Sequence, residues 1–370
     1  MKKSALFAGL IVCLFVVSKT FAAGAEPRTP IPASIKKTAA TFIISKSGSY
    51  YLAGNRLCDS NGIRVEANNV TIDLRGFSLT GNHNGSGIYM RNRINVEISN
   101  GTITDFNYAV NDDYVYMGQN NSTNHRVFGI RALSNTQGAI KFYAPNCQVR
   151  DCLITNNGSS ASGGNINIIG ISVGNNSTIT GNTISDNGHS AQSNVLGISV
   201  GNNSIVTANT VYSNGYNALG VDVYGITTGL CSTITANIVT NNGYSANSVF
   251  GIQAGGEGCA VTGNTAYGNG SYAVVLSYGI YAAAGSTVTG NTVYQNGFGM
   301  SSGTDEGIYA GVGSTVIGNT VSSNGLSASG NVYGIYLVGH NFVNQNTAYN
   351  NGGTNMNDPG NCTFGQNHAP

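Results

Sequence analysis

An asparagine followed by Thr or, once, by Ile returns at a nearly fixed interval: Asn182, Asn209, Asn237, Asn264, Asn291, Asn319 and Asn346 are separated by 27, 28, 27, 27, 28 and 27 residues. A period of this length is the signature of a solenoid, in which one repeat cannot bury its apolar face alone and does so against its neighbours. Two further registers run in step. Gly170, Gly197, Gly225, Gly251, Gly279, Gly307 and Gly334 each precede Ile, and Asn187, Asn214, Asn242, Asn269, Asn296, Asn324 and Asn351 each precede Gly in an Asn-Gly turn.

Within the unit from Gly170 to Leu196, Ile171, Val173, Ile179 and Ile184 alternate with Ser and Thr. Period two means strands. Three short strands, separated by turns at Gly174 to Asn176 and at Gly181-Asn182 and by a longer loop from Asn187 to Asn194, make one coil. Stacked coils pair each strand with its counterpart about 4.8 Å above, which satisfies the backbone between rungs. The asparagine at the sharp bend is expected to bond the amide of the next rung's asparagine, forming a ladder inside the corner. Gly before it, or Ala208 and Ala236 in two rungs, suits a bend with little room for a side chain. The pattern reaches back through Gly62-Ile63, Gly87-Ile88, Ala109-Val110 and Ala139-Ile140. The chain is therefore expected to be all-β: a right-handed parallel β-helix solenoid of about eleven rungs, each of roughly 22–30 residues, with an Asn ladder and a length on the order of 50 Å. Neither aliphatics at every sixth residue nor a G-G-x-G-x-D repeat is present, so the other β-solenoids fit poorly.

Residues 1–25 read as an export signal: Lys2 and Lys3, an apolar run from Ala5 to Val17, then small residues with Ala23 and Ala25 in an A-x-A pattern. The secreted chain would divide into an N-terminal cap at 26–61, the β-helix at 62–352 and a C-terminal cap or tail at 353–370, since open rungs present unpaired edges. Extracellular or cell-surface locations fit, as does the periplasm. No later apolar run approaches a transmembrane span. Only 8% of residues are charged, and every Lys and Arg lies at or before Arg150. Nucleic acid is excluded as a partner, because phosphate binding needs clustered cations.

Six cysteines follow the signal, with no zinc spacing among them. Cys231 and Cys259 sit in adjacent rungs at nearly the same corner, where a disulfide is geometrically allowed. Cys147 and Cys152 read as buried thiols, Cys152 at a ladder position. No metal site and no cofactor are expected: Asp112 and Asp113 are too few acids for calcium.

The blocks Asn69-Val70-Thr71-Ile72-Asp73-Leu74, Gly76-Phe77-Ser78-Leu79, Asn95-Val96-Glu97-Ile98 and Gly101-Thr102-Ile103, with the repeated Gly-Asn-Thr-Val units, resemble the pectate-lyase-like family of parallel β-helix repeat proteins over about residues 40–365. The resemblance implies the fold. It implies no single activity, because that family contains lyases, hydrolases and epimerases acting on acidic polysaccharides beside adhesins and tailspikes. Of the polygalacturonase-like blocks only an Asp-Asp, Asp112-Asp113, is present, and the epimerase-like Asp-Pro-His block is absent.

Two positions per coil face outward in register. After each Gly-Ile come Arg64, Tyr89, Asn111, Lys141, Ser172, Ser199, Thr227, Gln253, Tyr281, Tyr309 and Tyr336. Arg64, Tyr89, Asn111, Tyr281, Tyr309 and Tyr336 are the candidate ligand contacts, on the face resembling the usual groove of sugar-acting members. Three residues past the ladder Asn, Tyr212, Tyr267, Tyr294 and Tyr349 offer rings for sugar stacking, or pack against strand neighbours. The repeat fails between Asn111 and Gln137, where Asp112, Asp113, Tyr114, Tyr116, His125, Arg126 and Arg131 crowd together. Asp112 and Asp113, with Lys141, Arg131 and Arg150, could serve as acid, base and carboxylate clamp of a polysaccharide lyase or glycosidase. The same stretch also reads as a charged loop filling a mismatch between rungs. Two functions remain: a secreted protein presenting an extended face to a polysaccharide or cell-surface glycan, or an enzyme acting on an acidic polysaccharide.

Overall fold

In a computed structural model of the protein, residues 28–36, 40–113, 121–158 and 166–370 are described. The expected export signal, together with Tyr114 and Tyr116, lies outside them. Strands stack in parallel into two sheets, one of 13 strands and one of 24. The shorter sheet takes the first strand of every coil, and the longer takes the second and third. The eleven coil starts read from the sequence fill eleven consecutive strands of the shorter sheet, from Ile63–Val65 to Asn331–Leu337, with Phe42–Ile44 before them and Thr354–Met356 after. Thr29–Ile31 pairs with Gly48–Leu52 at the N-terminal edge. No helix occurs among the described residues, so none there is long and apolar enough to cross a membrane.

Alternation builds the interior. In Thr178–Thr180 and Thr183–Ser185 the central Ile179 and Ile184 are fully buried while Thr178, Thr180 and Thr183 are half-buried. Each buried aliphatic contributes about 1.5–3 kcal/mol, realised only when the next coil covers it. A second, smaller apolar cluster lies beneath the long loops, formed by Ile168, Val195, Val223, Val249, Met300 and four alanines.

The corner ladder runs as expected from Asn182 through Asn346, and it continues to Asn367. At Asn264, Nδ2 donates to Oδ1 of Asn291 at 3.0 Å and to the Ile234 carbonyl at 2.9 Å, while its backbone N–H donates to the same Oδ1 at 2.9 Å. Each asparagine thereby meets its polar needs inside the wall, which buried amides require. The Asn-Gly positions, expected only as turns, form a second ladder from Asn135 through Asn157 and Asn187 to Asn351 and Asn355. Both corners have one design: a left-handed residue, such as Ala236 (φ 53°) or Ser213 (φ 54°), aims the following asparagine inward.

A third column, Ser177, Ser204, Ser232, Cys259, Ser286 and Ser314, accepts backbone N–H bonds in the same way. Cys259 belongs to it, its Sγ 3.4 Å from the Ser232 amide nitrogen, whereas Cys231 sits one residue earlier than this column and is exposed. The Cys231–Cys259 disulfide that the spacing allowed is not formed: both thiols are free, and the one-residue offset turns one into the corner and leaves the other exposed. Cys147 and Cys152 are buried free thiols, both pushed up to about 12 by burial.

The glycine of each Gly-Ile pair is fixed by space. A Cβ on Gly279 would stand 2.5 Å from Val293 Cγ1, 2.7 Å from Asn296 Nδ2 and 2.7 Å from the Gly307 carbonyl. The strand Leu276–Ala282 runs on through this glycine, but simple alternation does not. Replacing Asn264 by Ala removes the oxygen that accepts the Asn237 backbone and side-chain N–H groups and the donor to the Ile234 carbonyl, so unfolding free energy in urea should fall by about 2–4 kcal/mol. A loss under ~0.5 kcal/mol, the range of ordinary surface changes, would show that the ladder does not hold the coils.

Candidate functional site

The outward column keeps the expected register through every coil: strand pairing sets Arg64 opposite Tyr89, Tyr89 opposite Asn111, Asn111 opposite Lys141, and so on to Tyr309 opposite Tyr336. The break at the glycine adds what sequence alternation hides. Tyr278, two residues before the core Ile280, would face inward in a straight strand, yet its ring lies 5.5 Å from that of Tyr281 at 76°. Residues before the glycine therefore join the outer face as a second column: Leu196, Tyr224, Phe250, Tyr278, Glu306 and Tyr333.

The two columns make one aromatic band. Tyr224, Phe250 and Tyr278 stack in series with centroids 5.1 Å apart, and Tyr281 lies 4.6 Å from Tyr309 at 5°. Tyr336 continues the second stack at 5.8 Å and meets Tyr333 edge-on at 4.9 Å. Stacked rings cover one another's faces, so the band offers mainly ring edges and phenol hydroxyls. The same holds for Tyr267 and Tyr294 on the other sheet, 4.5 Å apart. A further stack on the long loops, His189, Tyr216, Tyr244 and Tyr272, was not anticipated from the sequence.

One coil breaks the pattern twice. Asp305 replaces the valine or serine of its column and points into the small apolar cluster, 1% exposed. Glu306 faces the opposite way, between Tyr278 and Tyr333, 4% exposed. Burial pushes Glu306 up to about 8. It also drives Asp305 well above the carboxylate range, with the Ser277 hydroxyl opposing and the Glu306 charge adding. Burial and the Glu306 charge together raise Tyr278.

Toward the N-terminus the same face turns basic. A hollow of about 470 Å³ is lined by Arg64, Glu66, Tyr89, Arg91, Asn92 and Arg93, with Arg64 paired to Glu66. A second, of about 310 Å³, holds Lys141, whose ammonium lies 5.1 Å from the Tyr108 ring and 5.3 Å from that of Tyr143.

The expected catalytic set is divided by the fold. Asp112 and Asp113 are strand neighbours and face opposite ways. Asp112 is fully buried, accepts the Ser122 hydroxyl at 2.8 Å and is pushed up to about 6 by burial. Asp113 stays outside, accepting the Tyr89 hydroxyl at 3.4 Å. Lys141 shares that outer face. Arg131 and Arg150 lie on the longer sheet, Arg131 donating to Thr102 Oγ1 at 3.2 Å and Arg150 paired with Asp151 at 2.7 Å. His125 is buried and pulled down to about 4, and so is neutral. Among the described residues no three His, Cys, Asp or Glu side chains gather as metal ligands.

No family model matches the chain, and no curated protein matches it. Among solved structures it is similar to the A-module of mannuronan C-5 epimerase AlgE6 of Azotobacter vinelandii, at 16% identity over 88% of this chain and 91% of that one, with a TM-score of 0.48. It is also similar to DFA-IIIase of Arthrobacter chlorophenolicus A6 (15% identity, 82% and 83% covered, TM-score 0.43) and to the Dettilon tailspike protein (15%, 90% and 60%, 0.41). The likeness reaches the fold alone. On its own pairing and ladders, the chain is a right-handed parallel β-helix repeat protein, the architecture its resemblance to the pectate-lyase-like family implies.

The acids of the 304–310 coil make stability depend on pH. Glu306 keeps its proton to about pH 8 when folded but loses it near the ordinary value of about 4.3 when unfolded. Between those values the unfolded chain binds fewer protons, so stability falls as pH rises. Thermal midpoints should therefore be lower at pH 8.5 than at pH 4, and Glu306→Gln should shrink the difference. An unchanged difference would place the Glu306 carboxyl in the ordinary range.

Proposed function

We propose that the protein is exported and binds a polysaccharide or cell-surface glycan along the outer face of the shorter sheet. The observation that carries this reading is the convergence of two outward columns into one aromatic band, from Tyr224 to Tyr336, with a ring at each rung. A chain polymer lying along the helix axis meets a similar surface at every step, and many weak contacts then sum. Because ring faces are taken up by stacking, hydroxyls and ring edges provide the contacts. The hollows at Arg64 and Lys141 extend the same face and suit anionic substituents.

A second reading, a polysaccharide lyase or glycosidase, is favoured by Asp113 and Lys141 sharing the outer face beside Tyr89. Asp112, the other half of the expected pair, is turned inward, and the remaining carboxyl on that face, Glu66, is paired with Arg64. The binding reading is tested by affinity electrophoresis against neutral and acidic polysaccharides, with product formation followed as unsaturated-uronate absorbance and new reducing ends. Tyr281→Ala and Tyr309→Ala should each weaken retention about three- to tenfold, while Tyr212→Ala, on the longer sheet, should leave it unchanged. Equal losses in all three would remove the face from the argument. Turnover abolished by Asp113→Asn would establish the enzyme instead.

A further inference from the structure

Glu306 occupies a position where every neighbouring coil has an apolar or aromatic residue: Leu196, Tyr224, Phe250, Tyr278 and Tyr333. The fold therefore does not need an acid there. Nor does anything nearby neutralise one, because every Lys and Arg lies at or before Arg150. A buried carboxylate without a cation or donor costs several kcal/mol, so the group is held as a neutral acid. Its Oε2 is sealed from water without a hydrogen-bond partner. Such a group is a stability cost, where the ladder asparagines around it meet their own polar needs. Costs of this kind are retained at functional positions.

Resting on the binding function above, we propose that Glu306, set among Tyr278, Tyr309 and Tyr333 in the fourth of the five rungs of the aromatic band, is the point at which the face hydrogen-bonds a hydroxyl of a neutral sugar residue. A neutral carboxyl both donates and accepts, which matches a sugar hydroxyl that does the same. Flanking rings supply apolar edges for the sugar's C–H groups. A neutral sugar fits this part of the face because it holds no cation to compensate a uronate. Cleavage is not implied: glycoside hydrolysis needs a second carboxyl roughly 5–9.5 Å away, and Asp305 faces the other side of the strand.

The test uses the full mature chain with soluble dextran, xylan, galactan, mannan and polygalacturonate as probes, comparing wild type with Glu306→Leu, Glu306→Gln and Tyr281→Ala. Leu, the residue of one neighbouring coil, should leave the thermal midpoint unchanged or raise it and weaken retention by a neutral glycan about tenfold. Gln, which mimics the neutral acid, should stay within about threefold of wild type and keeps the test open if the Leu variant misfolds. Retention unchanged in Glu306→Leu, with loss in Tyr281→Ala, would overturn the role of Glu306 and leave the binding face standing. A lowered midpoint with unchanged retention would make Glu306 structural. Retention by polygalacturonate alone would overturn the neutral-sugar assignment. Retention by no probe would remove both this inference and the reading beneath it.

Discussion

The side-chain amide passing from one asparagine to the next holds this molecule in register. Parallel strands stacked about 4.8 Å apart could slip by a residue, and a slip of one would turn every aliphatic outward. Two ladders per coil, at Asn264 and Asn269 in one rung, forbid it, because each Oδ1 accepts from both the side chain and the backbone of its neighbour. The left-handed residue before each ladder asparagine is the conformational cost of that arrangement. Gly181, Gly263 and Gly290 meet it easily, while Ala208 and Ala236 meet it with strain.

Fixed register turns a sequence position into a line along the surface. Tyr281, Tyr309 and Tyr336 become a stack because the backbone beneath them cannot drift. The same constraint makes exceptions visible: Asp305 and Glu306 stand in columns otherwise filled by residues that the fold finds easier to bury. A compact enzyme would hide such a pair among irregular neighbours. Here the adjacent coils serve as internal controls.

Much of this was legible in the sequence, and the parts that were not share a cause. The repeat, the first ladder and the outward column after each Gly-Ile follow from spacing and period-two alternation, which act within one coil. The second ladder was read as turns because Asn-Gly is ordinarily a turn pair, and its asparagines show their role only when the coil above is in place. Tyr278 and Glu306 were missed because strict alternation puts them on the core side with Ile280 and Ile308. Alternation breaks at Gly279 and Gly307, where Asn296 and Asn324 stand too close for a Cβ, and the residue before each glycine falls on the outer face. A run of Tyr, Phe, Tyr, Glu and Tyr at a supposedly inward position was the available signal, since a slender coil has no room for those side chains.

Alternation also separates the two acids of the irregular coil. Asp112 and Asp113 are adjacent in sequence and therefore opposed in space, so one carboxyl supports the interior through Ser122 while the other reaches the surface beside Tyr89. Arg131 and Arg150 belong to a different sheet and are engaged with Thr102 and Asp151. In a β-helix, residues that project outward at one register position of neighbouring rungs are brought together by the strand stacking itself. Among the described residues, that register lines up the aromatic columns and sets Glu306 in the same column as Tyr278 and Tyr333.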